Sequence, residues 1–371
     1  MADFKDEFNA LTIDSLATEL SRSWAEFPTS RWRVLASARL DELRLSERIE
    51  LFADALVTCL PDDFGEAAQI IERALCSPAF TGWMTMPVGT YVAKTGIDQP
   101  ERALAVLAAL TPRFSSEGPI RVFIGNVLRA DVSVPARVGP RPDEHVRRLV
   151  SEGTRPRLPW ARQLRAFIID PTPTIALLDL LYDDQSPYVR RSVANHLNDI
   201  SKDHPELVVN VARRWLSASP QRVDVVRHGL RTLIKRGEPT ALEILGFAHD
   251  STVRLVDLVC KPAALEIGDV ATFRFTLEAD VETRAAIDYV VHYQGASGLK
   301  AGKVFKLTTR TLAAGHLTAF ERRHRFGHVS IRRIHPGPHR IDVQVNGRVL
   351  GGVDLTIEGP LCSGGEPFDQ G

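Results

Sequence analysis

Through the first 110 residues or so, apolar side chains return every three or four positions, which predicts packed α-helices. Ile13, Leu16, Ala17, Leu20 and Trp24 make one such run, and Leu43, Ile49, Leu51, Phe52, Leu56 and Leu60 another. Asp3 to Phe8 reads as a short amphipathic lead-in. Pro61-Asp62-Asp63 and Gly96-Ile97-Asp98-Gln99-Pro100 each mark a helix stop and a new start. Thr81 to Ala93, with Trp83, Met84, Met86 and Pro87, is apolar but barely periodic, so a partly buried connector is expected there. The aromatics and methionines of this half read as core filling rather than as a ligand box.

From about Val259 the period falls to two. Phe273, Phe275 and Leu277 alternate with Arg274 and Thr276, and Ile287, Tyr289, Val291 and Tyr293 alternate with Asp288 and His292. Val304 to Thr311 and Ile341 to Val345 continue the pattern, and Asn346-Gly347 is a strong hairpin turn. Several short strands within about 100 residues predict a β-sandwich of immunoglobulin-like type, here without a Cys…Trp…Cys arrangement. The expected division is a helical domain over 1–257, a sandwich over 258–358 and a disordered tail over 359–371.

Between these two regimes the chain repeats itself. Val146-Arg147-Arg148 returns as Val189-Arg190-Arg191, an offset of 43 residues, and a looser copy, Val226-Arg227-His228, follows 37 residues later. Periods near 40 with two helices each predict a HEAT-like α-helical repeat solenoid, whose neighbours bury a shared core. In the second copy Ser186 suits an N-cap and Pro187 the first helical position, with Val189, Val193, Leu197 and Ile200 as the apolar stripe.

The opposite stripe is polar. Arg191, Asn195 and Asp199 are spaced by four and share a helix face; the aligned positions are Arg148 and Glu152 before, and His228, Thr232 and Arg236 after. Around them lie Arg141, Arg147, Arg155, Arg157, Arg162, Arg165, Lys202, Arg213, Arg214, Arg222, Arg227, Arg231 and Lys235. The whole chain is neutral, with 46 basic and 46 acidic residues, so this local excess of cations is what suggests a phosphate-binding groove. A solvated helix face with ordinary ion pairs is the competing explanation.

Composition narrows the classes. At 44% hydrophobic and 25% charged the chain reads as an ordinary globular protein. No apolar run reaches the length of a membrane span, and the acidic start lacks a signal-peptide core, so a cytoplasmic protein without membrane contact is expected. Cys59, Cys76, Cys260 and Cys362 have no metal-ligand spacing, which argues against structural zinc and against a disulfide framework.

The segments RRLVSEGTRPRLPW and YVRRSVANHLNDISKDHPE resemble the signature segments of the AlkC-type DNA alkylation repair glycosylases, HEAT-like-repeat enzymes related to the AlkD type. FKDEFN and SSEGPIRVFI resemble the family too, so the likeness covers roughly residues 1–250, and the C-terminal region resembles the immunoglobulin-like module of a subset of these proteins. The resemblance implies removal of N3-methylated bases, chiefly 3-methyladenine and with 3-methylcytosine as a further substrate, from double-stranded DNA, without a deep base-flipping pocket. It implies a monomer acting at the bacterial nucleoid, with no cofactor, no metal and no obligatory protein partner.

By motif match Glu152 and Asp199 take the family's carboxylate positions, with Trp160 as an aromatic face for the cationic sugar or base and Glu117 as a further carboxylate. After Glu117 the family pattern continues Phe-Ala-Ile-Arg-Pro-Phe, whereas this chain has Gly118 and Pro119, a departure that shifts the local helix start. Arg148, Arg155, Arg157, Arg190, Arg191, Asn195, His196, Lys202 and Arg231 are the expected DNA contacts of the solenoid. In the sandwich, a basic run with Arg332, Arg333 and His339 is expected to make a second one.

Each assignment has a structural alternative. Glu152 could pair with Arg148, Asp199 could cap through Ser201, Trp160 could be a buried staple and His196 could simply pack. At the level of the whole chain, the alternative to an enzyme is a non-catalytic helical-repeat scaffold that binds DNA or protein.

Overall fold

Asn9 accepts hydrogen bonds from Leu11 N and Thr12 N and so opens the first helix of the computed structural model, whose buried face is Ile13, Leu16, Ala17 and Leu20. The structure describes residues 4–127, 143–159, 161–248, 252–295, 297–329 and 333–359. The chain divides into two compact units, Met1–Val208 with Arg214–Gly229 and Val209–Arg213 with Leu230–Gly371.

The first unit begins with α1 (Ala10–Ser23), α2 (Thr29–Ser37), α3 (Leu45–Cys59), α4 (Phe64–Ala74), α5 (Thr85–Thr95), α6 (Pro100–Leu110) and α7 (Glu117–Val127). It continues with α8 (Glu144–Gly153), α9 (Arg165–Ile169), α10 (Thr172–Asp179), α11 (Pro187–Ile200), α12 (Pro205–Ala218, of which Val209–Arg213 count with the second unit) and α13 (Val223–Gly229). The expected breaks hold: α3 ends before Pro61, Asp63 caps α4 through Glu66 N, and Pro100 opens α6. Trp32, Phe8 and Phe52 meet edge to face in the core, and the buried Trp32 Nε1 finds Ile13 O at 2.9 Å.

Thr81 to Ala93 is not a connector. It folds into a short 3-10 turn at Gly82–Met84 and then α5, in which Thr85 and every residue from Pro87 to Ala93 are buried. A helix covered on all sides has no polar face, so its sequence loses the period that marks an amphipathic helix. Pro87 stands in its first turn, where a missing N–H costs nothing.

The repeats are real and their first helices stack: α11 packs against both α8 and α13. The third copy is shorter than expected. Its helix α13 stops at Gly229, and Arg231, Thr232 and Arg236 belong to a separate helix, α14 (Arg231–Arg236), in the second unit. His228, Thr232 and Arg236 therefore do not form one helical stripe. No helix among the described residues is long and apolar enough to cross a membrane.

The second unit adds α15 (Pro239–Ile244) and strands β1 (Val253–Lys261), β2 (Ala264–Glu266), β3 (Val270–Ala279), β4 (Thr283–His292), β5 (Gln294–Gly295), β6 (Gly298–Leu299), β7 (Lys303–Leu312), β8 (Thr318–Arg325), β9 (Gly337–Val345) and β10 (Arg348–Glu358). Two sheets, ordered β1-β3-β8 and β2-β10-β9-β4-β7, enclose a core of Phe273, Phe275, Leu277, Ile287, Tyr289, Val291, Ile341 and Val343. The boundary expected after residue 257 falls inside β1. A register shift between Leu255 and Asp257 breaks the alternation there, which hides the first half of the strand.

Helix α14 ends in Gly237 (φ 75°), and the β9–β10 turn holds Gly347 (φ 79°). These two residues touch backbone to backbone: a Cβ on Gly237 would lie 2.5 Å from Gly347 O. Beside them the buried Asn346 donates from Nδ2 to Ala248 O at 2.9 Å and accepts from Ala286 N at 2.8 Å. The hairpin turn thus also ties the chain after α15 to the sandwich.

Candidate active site

Asp143 caps α8 by accepting from His145 N and Val146 N, and Ser186 caps α11 by accepting from Tyr188 N, with Pro187 following. The expected stripe of Val189, Val193, Leu197 and Ile200 is buried. Glu152 and Asp199 are each the last residue but one of their helix. Counted from the helix ends they are equivalent, whereas matching the helix starts pairs Glu152 with Asn195. The difference is that α11 has 14 residues and α8 has 10, one extra turn.

A carboxylate in the last turn faces the negative end of its helix, and each repeat answers this with a cation three residues on. Arg155 Nη1 donates to Glu152 Oε1 at 2.6 Å, and Lys202 Nζ to Asp199 Oδ1 at 2.9 Å. Arg155 also crosses to the next repeat, where its Nε donates to Asp199 Oδ2 at 2.8 Å. Ser192 Oγ donates to Glu152 Oε2 at 2.6 Å and lies 3.0 Å from Ser151 Oγ. Glu152, Arg155 and Asp199 are only 6%, 6% and 3% exposed. The carboxylates are therefore set into the seam between α8 and α11, not displayed on an open stripe as the spacing suggested.

Glu117 joins the same cluster. Helix α7 starts at this residue, and Pro119 sits in the first turn, so the Gly118-Pro119 departure leaves the carboxylate at the helix start. Its Oε1 accepts from Arg148 Nη1, while Oε2 has no hydrogen bond among the described residues. Arg148 Nη2 stands 3.8 Å from Glu152 Oε1, and its guanidinium lies over the Tyr188 ring at 4.6 Å. Arg148 links two carboxylates, so the pairing with Glu152 exists alongside a wider network.

Several expected DNA contacts are redirected. Arg155 is the bridge just described, and Lys202 is held by Asp199. Arg157 pairs with Asp203, and Arg190 Nη1 turns back to the carbonyls of Asp184 and Gln185. His196 is wholly buried; its Nδ1 donates to Ser151 O at 2.9 Å and its Nε2 meets no partner among the described residues. Burial pushes its pKa down to about 3, so it is a neutral packing group and not a phosphate contact. Arg191 is exposed and forms no ion pair among the described residues. With Arg190 and His228 it lines a groove of about 270 Å³ between α11 and α13 whose lining has Asp224 as its acid, and Asn195 accepts from His228 Nε2 beside it at 2.9 Å.

Trp160 and Arg332 lie outside the described residues. Arg333 is exposed, as a surface contact requires. His339 is not: it is 1% exposed and packs against Tyr293 and Phe326 in the sandwich core. Among the described residues no group of three or more His, Cys, Asp or Glu side chains could hold a metal ion.

Three members of the cluster escaped the sequence: Ser151, Ser192 and Arg121. Arg121 sits in the SSEGPIRVFI segment and is 3% exposed, an unusual state for arginine. It also lines a cleft of about 710 Å³ between α7 and the start of α9. Glu117, Glu152 and Asp199 are not among the described residues that line that cleft.

The family model "Uncharacterised protein YhaZ, C-terminal Ig-like domain" matches residues 254–359. "Uncharacterized protein YhaZ" of Bacillus subtilis (strain 168) is 33% identical over 360 residues, covering 96% of this chain and 100% of that protein. The structure of Pseudomonas fluorescens alkylpurine DNA glycosylase AlkC, bound to DNA containing an abasic site analog, is 33% identical, with a TM-score of 0.85. That match covers 96% of this chain and 100% of the AlkC chain.

Proposed function

The chain belongs to the AlkC family, and from that premise we propose that it is a DNA N-glycosylase which releases N3-alkylated bases, 3-methyladenine foremost. The observation that carries the proposal is the seam of carboxylates Glu152 and Asp199, bridged by Arg155 and joined to Glu117 through Arg148, next to the α11–α13 groove lined by Arg190, Arg191 and His228.

The chemistry suits such a seam. An N3-methylated purine is already cationic and leaves with the electron pair of its glycosidic bond, so no acid has to protonate it. The sugar then carries oxocarbenium character, and fixed carboxylates stabilise it without reorganising. Arg155, Ser192 and Lys202 fix Glu152 and Asp199 from several sides. Water adds to C1′ and loses a proton. Glu117, with one oxygen free of hydrogen bonds among the described residues, is the carboxylate open to receive it. Arg191 and Asn195 hold the phosphates that flank the lesion.

The test is incubation with methylated duplex DNA, scoring free 3-methyladenine and alkali-labile abasic sites. Release by the wild type, lost in Glu152→Gln and Asp199→Asn proteins that still bind the duplex, supports the proposal. A wild type that binds duplex DNA and releases no base would sink it in favour of a binding scaffold.

A further inference from the structure

We infer that Arg121 is a positioning residue for base release: it fixes the turn after α8 and, through that turn, the arginine that spans the two carboxylates. The inference rests on the glycosylase function proposed above. Arg121 Nη1 donates to Gly153 O at 3.0 Å and to Arg155 O at 2.7 Å, while Nε and Nη2 both reach Arg162 O, at 3.0 and 2.5 Å. One guanidinium thus joins the carbonyls of Gly153, Arg155 and Arg162.

A buried arginine ordinarily pairs with a carboxylate, since an uncompensated charge away from water is costly. Arg121 forms no ion pair among the described residues, and its hydrogen bonds go to carbonyls instead. Glu152 and Asp199 are thereby left to Arg155, and their charges act on Arg121 only from a distance. The carbonyl held at residue 155 belongs to the residue whose side chain makes the bridge. Gly153 makes the approach possible: a Cβ there would stand 2.5 Å from Ile120 Cγ2, the neighbour of Arg121 on α7.

Lysine cannot substitute, because one ammonium cannot reach all three carbonyls as a planar fork does. The cleft lined by Arg121 leads from solvent to this position and would admit a guanidinium ion into an Arg121→Ala protein.

The experiment uses the full chain and methylated duplex DNA, with single-turnover rate and Kd measured separately. R121K is expected to keep its Kd within about threefold while the single-turnover rate falls by about tenfold to a hundredfold, as a loosened site does. Guanidinium chloride, but not equal potassium chloride, is expected to restore rate to R121A without changing its Kd. R121K that reacts at the wild-type rate overturns the inference, as does a rate loss matched by equal loss of affinity. If R121A does not fold, R121K alone decides. A wild type that releases no base defeats the glycosylase proposal itself, an outcome distinct from either.

Discussion

Arg155 donates its Nε to Asp199 Oδ2 at 2.8 Å across the seam between α8 and α11, although the two residues lie 44 apart in the chain. The same guanidinium holds Glu152, so three buried charges stand or fall together. Removing the cation alone leaves two carboxylates facing each other away from water. Arg155→Met is expected to cost about 3–5 kcal/mol in urea denaturation. The triple variant E152Q/R155M/D199N is expected to regain most of that stability and none of the base release. A single R155M protein as stable as wild type would show that the bridge contributes nothing to the fold.

The carboxylates should differ in what they do. Glu152→Gln and Asp199→Asn each remove fixed charge from beside the sugar and are expected to slow single-turnover release by about 10²–10³-fold. Glu117→Ala removes a proton acceptor, and added formate is expected to restore part of its lost rate. Release of 3-methyladenine followed with and without formate separates the two effects.

Exposed and paired arginines in the solenoid should contribute unequally to DNA binding. Arg191→Ala is expected to weaken binding to any duplex and to reduce the slope of log K against log salt by about 1. Arg157, tied to Asp203, should matter less when replaced by alanine. Fluorescence anisotropy between 50 and 300 mM salt distinguishes them, and equal slopes for the two variants would count against the groove as the phosphate track.

In the sandwich, burial pushes the Asp288 carboxyl from the usual 3.8 up to about 6, with Lys306 and Lys235 pulling only partly the other way. A carboxyl raised in the folded state stabilises the fold below about pH 4, and that contribution is lost as pH rises through 6. Asp288→Asn is therefore expected to raise the stability of this unit at pH 7.5, by up to about 3 kcal/mol. The gain should fade as the pH approaches 4. Thermal melts at the two pH values check the sign.

How far the sequence reached depends on the kind of question asked of it. The entry to α11 was legible because Ser186, Pro187 and a stripe at four-residue spacing are local signals. The role of Arg155 was not, since nothing local says that a guanidinium will find a carboxylate one repeat away. The equivalence of Glu152 and Asp199 was masked by the extra turn of α11, which shows only when helix ends are known. Two of the expected contacts carry local signals of burial instead. His196 follows Val193 by three and precedes Ile200 by four, on the buried face; His339 shares the parity of Ile341, Val343 and Val345 in β9.

The contact between Gly237 and Gly347 bears on how this sequence is free to vary. Each residue holds a backbone conformation that other side chains resist, and each would drive a Cβ into the backbone of the other. Neither position can compensate for change at the other, because there is no side chain to trim in exchange. In a saturation library covering both sites, functional clones should keep glycine at both while the surface around the pair diversifies.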